Sequence, residues 1–366
     1  MALILTFLGK GGTGRTTVAI AAAKQLASQG KRVLLAGLGS GPAFDILVGT
    51  PTTPEPTPLE TNLDVVGFQT TLLLQKGWEE VKKVEAEYVR TPFFKEVYGE
   101  ELTLIPGMDG ALALNELRQY DADGKYDVLI YDGLSDSDTL RMLELAESLS
   151  WYGRRFRQVL DGSDIIKALS PFWGPISSAI LNVDWSPDNW TKDKNTNKVT
   201  QMLDDGKAAL ADPNRIAAYL VTTDDPAAIA TAQYRWGCAQ QVGLTVGGAI
   251  VNQATGTGNI PAKFAPLGVS AVPTRAGDDW QPLMAAMPDF SEAANAPRPI
   301  EIDVSRGIVR LFLPGFTKKQ VKLIQSGPEV TIEAGDRRRN IFLPPQLQGR
   351  SVTGAKFQDQ YLIIAF

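Results

Sequence analysis

The apolar run Leu3–Leu8 is followed at once by Gly9-Lys10-Gly11-Gly12-Thr13-Gly14-Arg15-Thr16-Thr17 and then by the helix-forming stretch Thr17 to Ala27. A short strand, a glycine-rich turn and a helix is the context that a phosphate-binding loop requires. Glycines let the backbone curl so that successive N–H groups face one concavity, and the helix N-terminus behind it adds positive potential. Gly11, Gly12, Thr13, Gly14, Arg15, Thr16 and Thr17 are the candidate phosphate ligands, with the Thr16 hydroxyl placed to meet the magnesium of a nucleoside triphosphate. The bland alternative is an ordinary tight strand-to-helix turn. Four glycines, a Thr-Thr pair and a basic residue on each side favour the phosphate loop over it.

Short β-branched runs alternating with helical stretches predict an α/β fold, a mostly parallel sheet with helices on both faces. Strands are expected at Leu3–Leu8, Arg32–Leu35, Leu63–Gly67, Leu102–Ile105, Val128–Tyr131, Ala217–Thr222, Ala249–Asn252 and Ser270–Val272. Ligands of open α/β sheets bind at the carboxyl ends of such strands. Asp132 closes the apolar run after Asp127 and is the candidate second magnesium ligand and catalytic carboxylate; a plain helix cap is its other reading. Thr50 to Thr61, rich in Pro and Thr, reads as an extended loop. Residues 148–215 break the alternation and read as a helical insertion, and the Ala, Asn and Pro cluster of 288–299 marks a domain boundary. The expected domains are 1–290, with the insertion, and 298–366.

Composition excludes several chemistries. The chain of 366 residues has no histidine and one cysteine, so an internal disulfide, a His/Cys metal cluster and a histidine base are all impossible. Only oxygen ligands remain, and these suit magnesium. A net charge of −5 argues against a nucleic-acid partner. No apolar run approaches the roughly 18–20 residues that span a bilayer, and Met1–Leu8 reads as a strand and not a leader, which together predict a cytoplasmic protein that is not integral to the membrane.

The loop resembles the deviant Walker A motif, Gly-Lys-Gly-Gly-x-Gly-Lys-Thr-Thr, and the later motifs resemble those of the arsenical-pump and tail-anchored-protein-targeting ATPases. Asp132, Thr139, Leu140 and Arg141 match that family's switch II, whereas Asp138 stands where the family has histidine. Pro106-Gly107 and Val251-Asn252-Gln253 also have counterparts. The resemblance implies a homodimer binding ATP and Mg2+, with Lys10 reaching the nucleotide of the other subunit as a second catalytic group and the Asn252 amide reading the adenine edge. Taken alone, Lys10 also fits a solvated surface lysine, and Asn252 a turn-forming residue. The segment Pro273–Gly277 lies where the family packs backbone against the base.

Two departures bear on turnover. The family's switch I carries Asp-Pro-Ala; here Gly41-Pro42-Ala43 aligns with it, and Asp45 follows four residues on. Arg15 replaces the loop lysine with a bulkier planar fork. Backbone N–H groups carry much of the phosphate contact, so binding survives, while loss of a water-orienting group commonly costs ~10²-fold or more. Slow hydrolysis is the expectation, with a non-hydrolysing, nucleotide-stabilised holdase or scaffold as the alternative.

Beyond residue 298 the alternating runs Val309–Phe316, Val330–Gly335 and Tyr361–Phe366, with Gly and Pro at the corners, predict a small β-sandwich. These pieces resemble the α-crystallin domain of small heat-shock proteins. Arg337 to Arg339 read as charges guarding a strand edge. Within the insertion, Trp151, Phe156, Ile166, Leu169, Phe172, Trp173, Ile176 and Ile180 suggest either a surface for an apolar client, membrane proteins among the options, or the insertion's own core.

Overall fold

The computed structural model describes residues 1–39, 41–76, 107–160 and 193–366. Its main sheet has eight strands in the order β3-β4-β2-β5-β1-β6-β7-β8. These are β1 (Leu3–Leu8), β2 (Val33–Leu38), β3 (Thr57–Glu60), β4 (Leu63–Phe68), β5 (Val128–Asp132), β6 (Ile216–Thr222), β7 (Thr245–Asn252) and β8 (Gly268–Val272). The described helices are α1 (Arg15–Ser28), α2 (Pro42–Val48), α3 (Met108–Asp123), α4 (Asp136–Leu160), α5 (Asp193–Ala211), α6 (Pro226–Gln241), α7 (Pro261–Phe264) and α8 (Gln281–Ala286). β1 pairs parallel with β6, β6 with β7 and β7 with β8. Every residue of β2 and of β6 is buried, the pattern of parallel strands covered on both faces.

The chain separates into two compact units. One comprises Met1–Ala2, Leu34–Leu129 and Gly133–Ala208; the other comprises Leu3–Val33, Ile130–Asp132 and Ala209–Phe366. In the first, β3 pairs antiparallel with β4. The Pro- and Thr-rich composition of residues 50–61 predicts a loop here, and the difference has a physical reason: β3 is the sheet's outermost strand, where Pro58 can sit without breaking a ladder on both sides. α4 runs through residue 148 without interruption, so a helix that starts just after β5 carries the chain into the insertion, and α5 brings it back. The expected strand Leu102–Ile105, Pro106 and the apolar residues Ile166, Leu169, Phe172, Trp173, Ile176 and Ile180 lie outside the described residues.

In the second unit, residues beyond 299 form two antiparallel sheets. β14 (Gly354–Gln358), β15 (Tyr361–Ala365), β10 (Ile308–Phe312) and β9 (Ile300–Asp303) make one, in that order; β11 (Val321–Ser326), β12 (Glu329–Ala334) and β13 (Arg337–Phe342) make the other. Alternation sets the inner face: Val309 pairs with Ile364 and Leu311 with Leu362, and all four are buried.

These sheets rest on α6. Asp225 caps that helix by accepting from the Ala228 N–H at 2.8 Å, and Pro226 fills its first position. Trp236, 2% exposed, meets the Phe312 ring edge-on at 5.4 Å and the Phe264 ring at 6.3 Å. Tyr234 packs on Phe316 at 5.7 Å, and its hydroxyl donates to the Asp336 carboxylate at 2.5 Å. Arg339 donates to the Gln240 carbonyl at 2.9 Å, and Arg337 is buried. β13 is the outer strand of its sheet, so the arginine run does lie on a strand edge; its first and third members also turn inward on one face of β13, while Arg338 is exposed.

Two outcomes follow for this attachment. Trp236→Ala should cost about 3–5 kcal/mol, as for other buried tryptophans, read as a lower midpoint in urea unfolding. The Tyr234 hydroxyl holds the Asp336 carboxyl below its ordinary range, while burial and this bond push Tyr234 up to about 12. A depressed carboxyl stabilises fully above the ordinary value near ~4 and loses that contribution as pH falls through its lower folded value. Asp336 is exposed, so the bond is worth at most about 1 kcal/mol. Tyr234→Phe should lower the melting temperature at pH 7, with the gap closing as the pH drops below ~4.

Candidate functional site

β1 ends at Leu8 and α1 begins at Arg15, leaving a turn of four glycines, Lys10 and Thr13 between them. Thr13 is buried, and its N–H (3.2 Å) and hydroxyl (2.8 Å) both donate to the Lys10 carbonyl. The N-cap of α1 is Gly14 at φ 86°, a left-handed conformation that disfavours any side chain. Consequently no side chain caps α1, and its first turn holds no acidic residue. A helix N-terminus of this kind presents backbone N–H groups and a partial positive charge to an anion.

Three strand ends support the turn. Thr16 donates its hydroxyl to the Asp132 carboxylate, at the end of β5, at 2.6 Å. Asn252, the last residue of β7, donates its amide to the Thr13 carbonyl at 2.9 Å. Near the end of β6, the Val221 carbonyl lies directly against Gly9. β1 itself is tied to β5 by the Thr6 hydroxyl donating to the Tyr131 carbonyl at 3.0 Å. The loop therefore sits outside the carboxyl ends of the central strands, the usual ligand position of an open α/β sheet.

Burial pushes the Asp132 carboxyl up, while the Thr16 hydrogen bond and the charge of Arg15 pull it down; the net direction is upward. A carboxylate so placed is costly when ionised alone, and a cation beside it removes that cost. Thr16 and Asp132 offer oxygen donors only, which fits a hard divalent ion. Among the described residues no group of three or more His, Cys, Asp or Glu could hold a metal. Magnesium would here need phosphate oxygens and water to complete its shell.

The other candidates fall in separate places. Lys10 is exposed at the mouth of the turn. In the first compact unit, Gly41 precedes α2 in an extended conformation, and the Asp45 carboxylate accepts from the Thr52 N–H (3.1 Å) and hydroxyl (2.8 Å). Asp45 thus closes the turn after α2. Asp138 accepts from the Ser135 hydroxyl at 2.6 Å and donates its own N–H back to that oxygen at 3.2 Å, a start signal for α4. Arg275 lies over the Trp280 ring at 4.9 Å, and Lys24 lies 5.7 Å from the same ring. Sequence reasoning does not single out Trp280, because its second cation, Lys24, comes from a distant segment.

The fold and the loop define a P-loop NTPase-like protein. The family model described as anion-transporting ATPase matches residues 2–260, and the one described as an HSP20-like domain found in ArsA matches residues 305–366. The chain belongs to the anion-transporting ATPase family. A protein of Prosthecochloris vibrioformis named "Putative arsenical pump-driving ATPase" is 26% identical over 402 residues, covering 99% of this chain and 95% of its own. One of Aquifex aeolicus, named "Putative arsenical pump-driving ATPase 1", is 21% identical over 399 residues and 99% of each chain. A Plasmodium vivax protein named "ATPase ASNA1 homolog" is 33% identical over 145 residues, 38% of this chain and 36% of its own.

The packing separates two kinds of glycine in the loop. A Cβ on Gly9 would collide with the Val221 carbonyl, whereas one on Gly11 would find nothing within 4 Å. Gly9→Ala should therefore destabilise the ligand-free protein by about 1–3 kcal/mol, and Gly11→Ala should leave its melting temperature unchanged. Differential scanning fluorimetry of both variants checks this.

Proposed function

We propose that this chain is an ATP-binding nucleotide switch of the anion-transporting ATPase family that hydrolyses ATP slowly, works as a homodimer and couples its nucleotide state to an apolar protein client. The observation that carries the reading is the uncapped start of α1 with Thr16 on Asp132 beneath it. In this reading Gly11, Gly12, Thr13, Gly14, Arg15 and Thr17 hold the phosphates and Asn252 meets the base. Thr16 and Asp132 hold Mg2+, which when bound neutralises charge on the phosphates. Lys10, exposed at the mouth of the turn, serves the partner subunit's nucleotide. The protein divides into an ATPase domain, 1–290, and an α-crystallin-like domain, 298–366.

Slow turnover has two supports. Gly41 supplies no carboxylate where the family orients water, and the Asp45 carboxylate is committed to Thr52. Arsenite as cargo is disfavoured, since a soft metalloid site calls for several thiolates and the single cysteine, Cys238, is buried. No described helix is long and apolar enough to cross a membrane, in keeping with a cytoplasmic switch and with membrane proteins as clients only. A second reading, a nucleotide-held scaffold without turnover, is favoured by the same Gly41 and by Arg15.

Phosphate release from Mg-ATP, followed across protein concentrations, tests the proposal. Specific activity should rise with concentration, vanish on chelation of magnesium and fall by ~10²-fold or more in Lys10→Ala, with ATP binding retained. Binding without release at any concentration would select the scaffold.

A further inference from the structure

Asn252 stands at the end of β7 and is 3% exposed. Its amide nitrogen donates to the Thr13 carbonyl and lies against Gly14, close enough that a Cβ there would meet it. The buried amide is thus packed on the phosphate loop, and one of its two N–H donors is used by loop backbone. Thr13 is also held from the other side, through its N–H and hydroxyl on the Lys10 carbonyl. In a trans peptide the C=O and the following N–H point in opposite directions. With the Thr13 carbonyl turned to Asn252, the Gly14 N–H faces away from it. A flip of that one peptide would reverse both groups and remove a donor from the start of α1.

We propose that Asn252 is a positioning residue for the phosphate loop, fixing the Thr13–Gly14 peptide so that triphosphate binding depends on it whether or not a base is present. The inference rests on the nucleotide-site reading and deepens it. An amide that only read the base edge would change the choice among nucleotides and leave a base-free ligand untouched. An amide that holds the loop acts on every ligand carrying the triphosphate, because without its donor the Thr13 carbonyl is left buried and unsatisfied. The remaining N–H and the carbonyl of the side chain stay available for other partners, so the two roles are separable by choice of probe.

The experiment measures affinity of the full chain for ATP, GTP and inorganic triphosphate, each with magnesium, in wild type and in Asn252→Asp, which keeps the shape and loses the donor. Asn252→Ser, too short to reach Thr13, is the second variant should the first not fold; circular dichroism and melting establish folding for each. The expected result is a loss of about 10-fold or more, shared by inorganic triphosphate and ATP, in a folded variant. A variant that melts lower but binds inorganic triphosphate as wild type does overturns the proposal, as does one in which only the ATP-to-GTP preference changes. Failure of the wild-type chain to bind any of the three ligands instead overturns the nucleotide-site reading on which the proposal stands.

Discussion

Helix α1 begins on a glycine in a left-handed conformation, and this leaves its N-terminus with no side-chain cap to offer. An end of this kind favours negative charge, because no side-chain cap and no acidic residue of the first turn offsets its partial positive charge. The surrounding architecture serves that preference. Strand ends brace the turn from below through Val221, Asp132 and Asn252, while a Cβ on Gly11 would meet none of the described residues within 4 Å. Bracing on one side and vacancy on the other is what a rigid anion cradle requires.

The same compact unit carries the two C-terminal antiparallel sheets, and their attachment is specific. Aromatic edges, a tyrosine–aspartate bond and an arginine on a helix carbonyl all converge on α6. That helix lies between β6, which flanks the loop through Val221, and β7, which ends on Asn252. The C-terminal sheets are therefore packed on the one helix that joins two of the loop's supports. In an HSP20-like domain this is an anchoring role that the β-sheet pattern alone does not announce.

Local features were legible in the sequence where periodicity or chemistry changes abruptly. The switch from apolar strand to glycines to helix placed β1, the loop and α1, and the alternation in β10, β12 and β15 placed the C-terminal strands. β3 was hidden because Pro58 argues against a strand and only its edge position makes it tolerable. Asn252 was identifiable as a strand-end amide, yet its bond to Thr13 depends on β7 lying one strand beyond β6 from β1, and no local pattern encodes that order. The inward turn of Arg337 and Arg339 was equally invisible, since it depends on α6 lying under β13. Asp45 could be seen as a nearby carboxylate, but its commitment to Thr52 could not.

The pairing of β1 with β6 joins residues 3–8 to residues 216–222, and the last brace of the loop arrives at residue 252. A ribosome delivers the chain from its N-terminus at about 5–20 residues per second. The glycine-rich turn consequently spends much of the chain's synthesis beside a mostly apolar strand that still lacks β6, and without all of the contacts that shape it. Until β6 emerges, β1 has one side open, and an open apolar strand is an aggregation hazard. The end of the chain that looks most complete in the sequence is, in the order of manufacture, among the last to be finished.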